Sequence, residues 1–240
     1  MPFVYSRPTK VTKSKPLVVI KYNPNHDHLG RFTSAGGGSA LSGFERKVDE
    51  AYGTGEEAFS IAHTGDVSTA ALGTYLAKGH VVNEYLRDEV GGEYITDTRT
   101  AEDIAVGLDN AIAMAPPMPN QTVWRVARAD AVLSMQKGKV YVDKGFASTT
   151  AADITHPDNG TLLLTLAHVS GGKKVLTQID TGPKGKGIYM PKMFPGQPIA
   201  EFEKEFLLPR NTKMKYVGVD YKFLGTSDNF LEIHKFKVVD

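Results

Sequence analysis

The chain has 240 residues, 41% apolar and 23% charged, enough to bury a sizeable core in one domain or in one domain with an appendage. It has no cysteine, which excludes a disulfide scaffold, a thiol nucleophile and a cysteine zinc site, and suits a reducing compartment. The net charge of +1 is unevenly spread: residues 1–40 carry Arg7, Lys10, Lys13, Lys15, Lys21 and Arg31 against Asp27, while residues 41–118 carry fourteen acidic side chains against five basic ones. Leu17 to Ile20 is the longest apolar run near the start, far short of a signal-peptide core or a membrane span, so neither Sec export nor membrane insertion is expected.

Residues 1–40 read as a flexible basic tail. Pro2, Pro8, Pro16 and Pro24 interrupt any helix, and "SAGGGSA" at 34–40 has linker composition. Residues 41–118 read as a helical region. Phe44, Val48 and Ala51 fall at i, i+4 and i+7, and Val81, Val82, Tyr85 and Leu86 form a second stripe. A further helix is predicted from Thr100, with Asp103 completing a capping box; Ile104, Leu108 and Ile112 line one face until Pro116 and Pro117 end it. From residue 119 to 240 the period becomes strand-like. Residues 121–128, 145–150, 161–169, 173–179, 203–208, 213–224 and 230–239 are β-branched or aromatic runs between Gly, Pro, Asn and Asp. Helices followed by consecutive strands with short connections predict an α+β fold with a largely antiparallel sheet.

Several chemistries lack their residues. The seven histidines form no HExxH pair, and His26 and His28 sit in the tail, so no metal is expected. "GPKGKG" (182–187) lacks the phosphate-loop spacing and reads as a turn, and the GxSxG nucleophile elbow of the hydrolases is missing.

Three polar features remain on predicted strands. Arg125 interrupts the apolar run Val123, Trp124, Val126, Ala127, and a guanidinium in a core strand needs an anion or a carboxylate. Ser148, Thr149 and Thr150 end the second strand with three hydroxyls. Glu203 and Glu205, two apart, would share one face of a strand. Each also has a plain reading: a structural ion pair for Arg125, backbone bonding for the hydroxyls, a solvated edge for the glutamates.

Taken together and in this order, "TVWRVAR", "GFASTT" and "EFEKEFLLPRNTKMKY" resemble the three signature strands of the arginine-type mono-ADP-ribosyltransferases, with their Arg, Ser-Thr-Ser and Glu-x-Glu pattern. The continuation through "FLLPRNTK" is similar to that family's "-LLPRGTK-", and "KGKGIYMPKMFPG" resembles the loop that precedes its third strand. The resemblance covers about residues 120–240. It implies two small, mainly antiparallel sheets forming a cleft for NAD+, which is a substrate. By motif position, Arg125 would pair with the pyrophosphate, and the main chain of Val126, where the family has Gly, would hold the nicotinamide amide. Ser148 would support the ribose and the catalytic glutamate, with Thr149 and Thr150, the latter in place of Ser, reinforcing the strand in the NAD-binding set. Glu205 would bond the ribose 2′-hydroxyl and stabilise the oxocarbenium charge, and Glu203 would deprotonate an arginine of a target protein, expected to be a host protein. Tyr189, Phe194 and Phe202 are candidate aromatic lids for nicotinamide, with core packing as the plain alternative.

"NPNHDHLGRFTSAGGG" (23–38) is similar to the opening of phage head and virion-associated proteins. That similarity implies an enzyme carried in the virion to the host cytoplasm, its tail touching capsid or portal proteins. The rival expectation is a catalytically silent virion structural protein that retains the fold. A role on nucleic acid draws only on the basic tail.

Overall fold

A computed structural model describes residues 43–54, 58–87, 94–96, 99–168, 173–223 and 230–240. The expected basic tail, with His26, His28 and the 23–38 stretch, lies outside the described residues.

The acidic segment is helical. Helix α1 (Gly43–Tyr52) buries Val48 and Tyr52, with Phe44 on the same face at i, i+4 and i+8. Helix α2 (Gly65–Leu86) is kinked at Lys78, where φ −136° precedes Gly79, and the Tyr75 ring lies so close over Gly79 that a Cβ there would meet it at 2.9 Å. Strands β1 (Tyr94–Thr96) and β2 (Arg99–Thr100) form a small antiparallel ribbon that the sequence did not announce. Helix α3 (Ala101–Met114) starts at the predicted capping box: Thr100 Oγ1 accepts the Asp103 N–H at 3.2 Å, and Asp103 Oδ2 accepts the Thr100 N–H at 2.9 Å. It packs Ile104, Leu108 and Ile112 into the core.

The remaining chain forms β3 (Thr122–Arg128), α4 (Ala129–Leu133), β4 (Val140–Asp143), β5 (Ala147–Thr150), α5 (Gly160–His168), β6 (Lys174–Asp180), β7 (Ile188–Tyr189), α6 (Met190–Met193), α7 (Pro198–Glu203), β8 (Glu205–Leu208), β9 (Thr212–Phe223) and β10 (Phe230–Val239). Eight strands join in the order β4-β9-β10-β6-β3-β5-β8-β7. The β6–β10 pairing is parallel and the other pairings are antiparallel. The expected two sheets are recognisable within it: β4-β9-β10-β6-β3 meets β5-β8-β7 through one residue pair, Trp124 with Thr150. The sheet must curl strongly. Strands β4 and β5 stand five places apart, roughly 24 Å if the sheet were flat, yet residues 144–146 alone join them, a link that spans at most roughly 14 Å.

Two predicted strands are corrected. Residues 161–169 were expected to be extended, but 160–168 form α5, with Leu162 buried, Leu163 and Leu166 half-buried, and Thr165 Oγ1 bonded back to the Thr161 carbonyl at 3.0 Å. A short leucine run suits either element, and leucine favours helix. The strand expected from residue 203 begins at Glu205; Pro198 at a helix N-terminus starts α7, which holds Glu203. "GPKGKG" is the expected turn: Gly185, at φ +54°, packs on the Met118–Pro119 backbone so tightly that a Cβ would clash at 2.0 Å.

Candidate active site

Arg125 finds its carboxylate in Asp143, at the end of β4, with Nη1 donating to Oδ2 at 2.9 Å. A second guanidinium converges on the same group. Arg87, which caps α2, donates from Nε to Oδ1 at 3.0 Å and from Nη2 to Oδ2 at 3.1 Å, and the Gly145 N–H adds a bond at 3.1 Å. Burial pushes the Asp143 carboxyl up, but the charge of Arg125 and the Arg87 fork outweigh it and hold it below its ordinary value. Two cations share one anion, so the cluster keeps a net positive charge. The side chains of Arg125 and Arg87 are 26% and 24% exposed, and their bonds to Asp143 use one and two of their five donors respectively, so both can still receive an anion.

Helix α2 delivers Arg87 because Asn83, one turn earlier, is fastened at both ends of its amide. Nδ2 donates to the Tyr75 hydroxyl at 2.8 Å, and Oδ1 accepts the Phe146 N–H at 2.7 Å. Gly145 permits this approach, since a Cβ there would stand 2.7 Å from Asn83 Oδ1 and 3.0 Å from the Arg87 guanidinium carbon. Tyr75 is buried, and its phenol is pushed well up by burial and then by the negative charge of Glu205, with Asn83, Arg125 and Arg87 pulling the other way. One buried ring therefore lies within electrostatic range of all three charged side chains.

Glu205 opens β8 opposite Thr150 of β5 and is 6% exposed. Burial pushes its carboxyl up to about 7; a hydrogen bond from Ser148 draws it down and the Glu203 charge raises it. Ser148 itself is exposed. Glu203 ends α7, half-buried, and burial raises its carboxyl as well. The two glutamates thus meet across a helix-to-strand junction, made by Lys204 in the left-handed conformation (φ 45°, ψ 43°), and not on one strand.

The remaining candidates face the protein. Thr149 Oγ1 donates to the Phe206 carbonyl, and Thr150 Oγ1 accepts the Ala152 N–H at 3.1 Å, so these hydroxyls fasten β5 to β8 and to its own turn. Val126 packs its side chain in the cluster of Trp124, Ile154 and Leu176, on the face opposite Arg125. Phe194 and Tyr189 pack against the main core and Phe202 against the Trp124 cluster. The "LLPR" run is also structural: Leu207 and Leu208 are buried, and Arg210 bonds Asp109 at 2.7 Å and Glu102 at 3.2 Å, docking α3 on the β8–β9 turn. Among the described residues, no three His, Asp or Glu side chains converge to hold a metal ion.

The sequence reading missed Arg87, Asp143, Tyr75 and Asn83. The spacing of Tyr75, Asn83 and Arg87 along one helix was available, but nothing local tied it to Asp143, 56 positions from Arg87.

The fold is similar to that of Plx2a, an ADP-ribosyltransferase toxin from Paenibacillus larvae (TM-score 0.56, 18% identity, covering 82% of this chain and 94% of that one). It is also similar to the ADP-ribosylating toxin BECa of C. perfringens, solved with NADH (TM-score 0.58, 14% identity, 81% of this chain and 47% of that one). The ADP-ribosyltransferase Vis from Vibrio splendidus, solved with agmatine, matches at TM-score 0.50 and 16% identity over 82% of each chain. No curated protein sequence matches the chain. Residues 50–233, from the end of α1 into β10, match the ADP-ribosyltransferase exoenzyme family. Covering α2 through α7, the Arg125 strand and both glutamates, that match shows that the chain belongs to the ADP-ribosyltransferase exoenzymes, NAD-using transferases of toxin type.

Proposed function

We propose that the protein transfers ADP-ribose from NAD+ to the guanidinium of an arginine on a target protein, releasing nicotinamide. The observation that carries the acceptor is Glu203, a half-buried carboxylate close enough to Glu205 to raise its pKa. A guanidinium attacks only after losing a proton, and a carboxylate whose affinity for protons is raised is suited to take it. The agmatine held by Vis, itself a guanidinium compound, supports the same reading.

Arg125 and Arg87 bind the pyrophosphate, their shared partner Asp143 keeping both forks in place when NAD+ is absent. Ionised Glu205, oriented by Ser148, accepts a hydrogen bond from the ribose 2′-hydroxyl and faces the positive charge that grows on the sugar as the bond to nicotinamide breaks. Its burial strengthens that attraction, because the surrounding medium screens it little. The electron pair of the C–N bond leaves with nicotinamide, a guanidinium nitrogen forms the new C–N bond, and its proton passes to Glu203. Water in place of the guanidinium gives hydrolysis of NAD+. The main chain of Val126 lies beside Arg125 in extended β3, so the family's contact to the nicotinamide amide is compatible with a valine there.

Incubation of the protein with NAD+ and agmatine tests this reading. The wild type should release nicotinamide and form ADP-ribosyl-agmatine, and Glu203→Gln should lose the second product while still hydrolysing NAD+. Arginine transfer surviving in Glu203→Gln, or no nicotinamide from the wild type, would overturn it.

A further inference from the structure

We propose that α1 positions Glu203 relative to Glu205 through an ion pair between Glu45 and Lys204, and so sets how NAD+ is shared between a guanidinium acceptor and water. This rests on the acceptor role proposed for Glu203. Lys204 is the single residue between the two glutamates, and its left-handed backbone (φ 45°) is unfavourable for a residue with a side chain. Its surroundings hold it from three directions. The Lys204 N–H donates to the Ala200 carbonyl at 2.9 Å, its carbonyl accepts the Ala151 N–H at 2.9 Å, and Nζ donates to Glu45 Oε1 at 2.8 Å.

The same helix grips the other end of the loop. Asp49, one turn beyond Glu45 on the same face, accepts from Lys192 Nζ at 2.9 Å, and Lys192 also donates to the Gly53 carbonyl at 3.4 Å. Around these pairs the contacts are apolar: Phe44 meets the Tyr189 ring at 5.6 Å and the Phe206 ring at 6.2 Å, and the Tyr52 hydroxyl accepts the Tyr189 N–H at 2.9 Å. An exposed ion pair would contribute little, but here the side chains of Lys204 and Glu45 are 39% and 31% exposed and stand on a helix whose Val48 and Tyr52 are buried. Helix α1 is therefore a brace across residues 189–206, fixed at both ends.

The consequence differs for the two glutamates. Glu205 belongs to β8 and is held by its backbone ladder with β5. Glu203 ends the short α7, which packs Phe202 on the Trp124 cluster and continues into that ladder through Lys204. Releasing the brace lets α7 and Glu203 move while Glu205 stays, so transfer suffers and hydrolysis does not.

The test compares wild type, Glu45→Gln, Lys204→Met, the double variant and Lys204→Arg. The readouts are turnover to agmatine, turnover to water, KM for NAD+ and thermal midpoint. Each single loss of charge should lower the transfer-to-hydrolysis ratio several-fold with KM for NAD+ unchanged. The double variant should lose less than the sum of the two single losses, because the Glu45–Lys204 pair is common to both, and Lys204→Arg should keep the wild-type ratio. Unchanged partition in the variants, additive losses, or transfer and hydrolysis falling together with the thermal midpoint would overturn the brace while leaving the acceptor reading intact. A wild type that cleaves NAD+ but never modifies agmatine would instead overturn the acceptor reading, and the brace's role with it.

Discussion

Glu205 carries two opposed demands. Its folded-state pKa of about 7 lies above the ordinary 4.5, so between these values the unfolded chain has released a proton that the folded chain keeps. Stability therefore falls as pH rises through that window, by on the order of 3 kcal/mol in all. Glu205→Gln should be more stable than wild type at pH 8 and no different near pH 4.5, as read by denaturant melts at the two pH values; equal stability at pH 8 would contradict the burial argument. Because the ionised form is the one proposed to face the sugar cation, kcat/KM for NAD+ should fall on the acid side with a midpoint near 7, and a flat profile from pH 5.5 to 8.5 would exclude Glu205 as the essential group. The residue types of this site were legible in the sequence, down to Arg125, Ser148, Glu203 and Glu205. Their geometry was not: a period of two suggested one strand face for the glutamates, whereas Lys204 turns the chain between them, and a lysine gives no local sign of positive φ.

At the scale of elements, periodic helices with caps declared themselves, since Thr100, Asp103 and the Ile104 stripe are all local signals. Residues 160–168 did not, because a short apolar run is decided by what it packs against, here Trp124 and Ile154. Strand β4 escaped notice for a related reason: Val140 and Val142 are about half exposed, and the strand exists through its pairing with distant β9. Its contribution to the candidate site, Asp143, is visible only when Arg87 and Arg125 are in place. Asn83→Leu should cost about 1–3 kcal/mol, because it leaves the Phe146 N–H and the Tyr75 hydroxyl without their partner. It should also raise KM for NAD+ more than it lowers kcat, since the part displaced is Arg87. A loss of stability with unchanged KM would show that α2 does not aim that guanidinium.

For the whole molecule, the curl of the sheet is what makes a site from separate strands. Arg125 and Asp143 lie on β3 and β4, four places apart in strand order, and only closure brings them to 2.9 Å. The same closure sets Arg87 from the acidic helices beside them, so the helical segment is part of the site and not an appendage, a relation that motif reading over residues 120–240 could not supply. This assembly is proposed to act on the transition state through Glu205. The most direct measurement is NAD+ affinity by calorimetry beside kcat for nicotinamide release, in wild type and Glu205→Gln. In Glu205→Gln, kcat should fall by roughly 100- to 1000-fold while the Kd for NAD+ changes little. Turnover within tenfold of wild type, or a loss of binding that matches the loss of turnover, would contradict it.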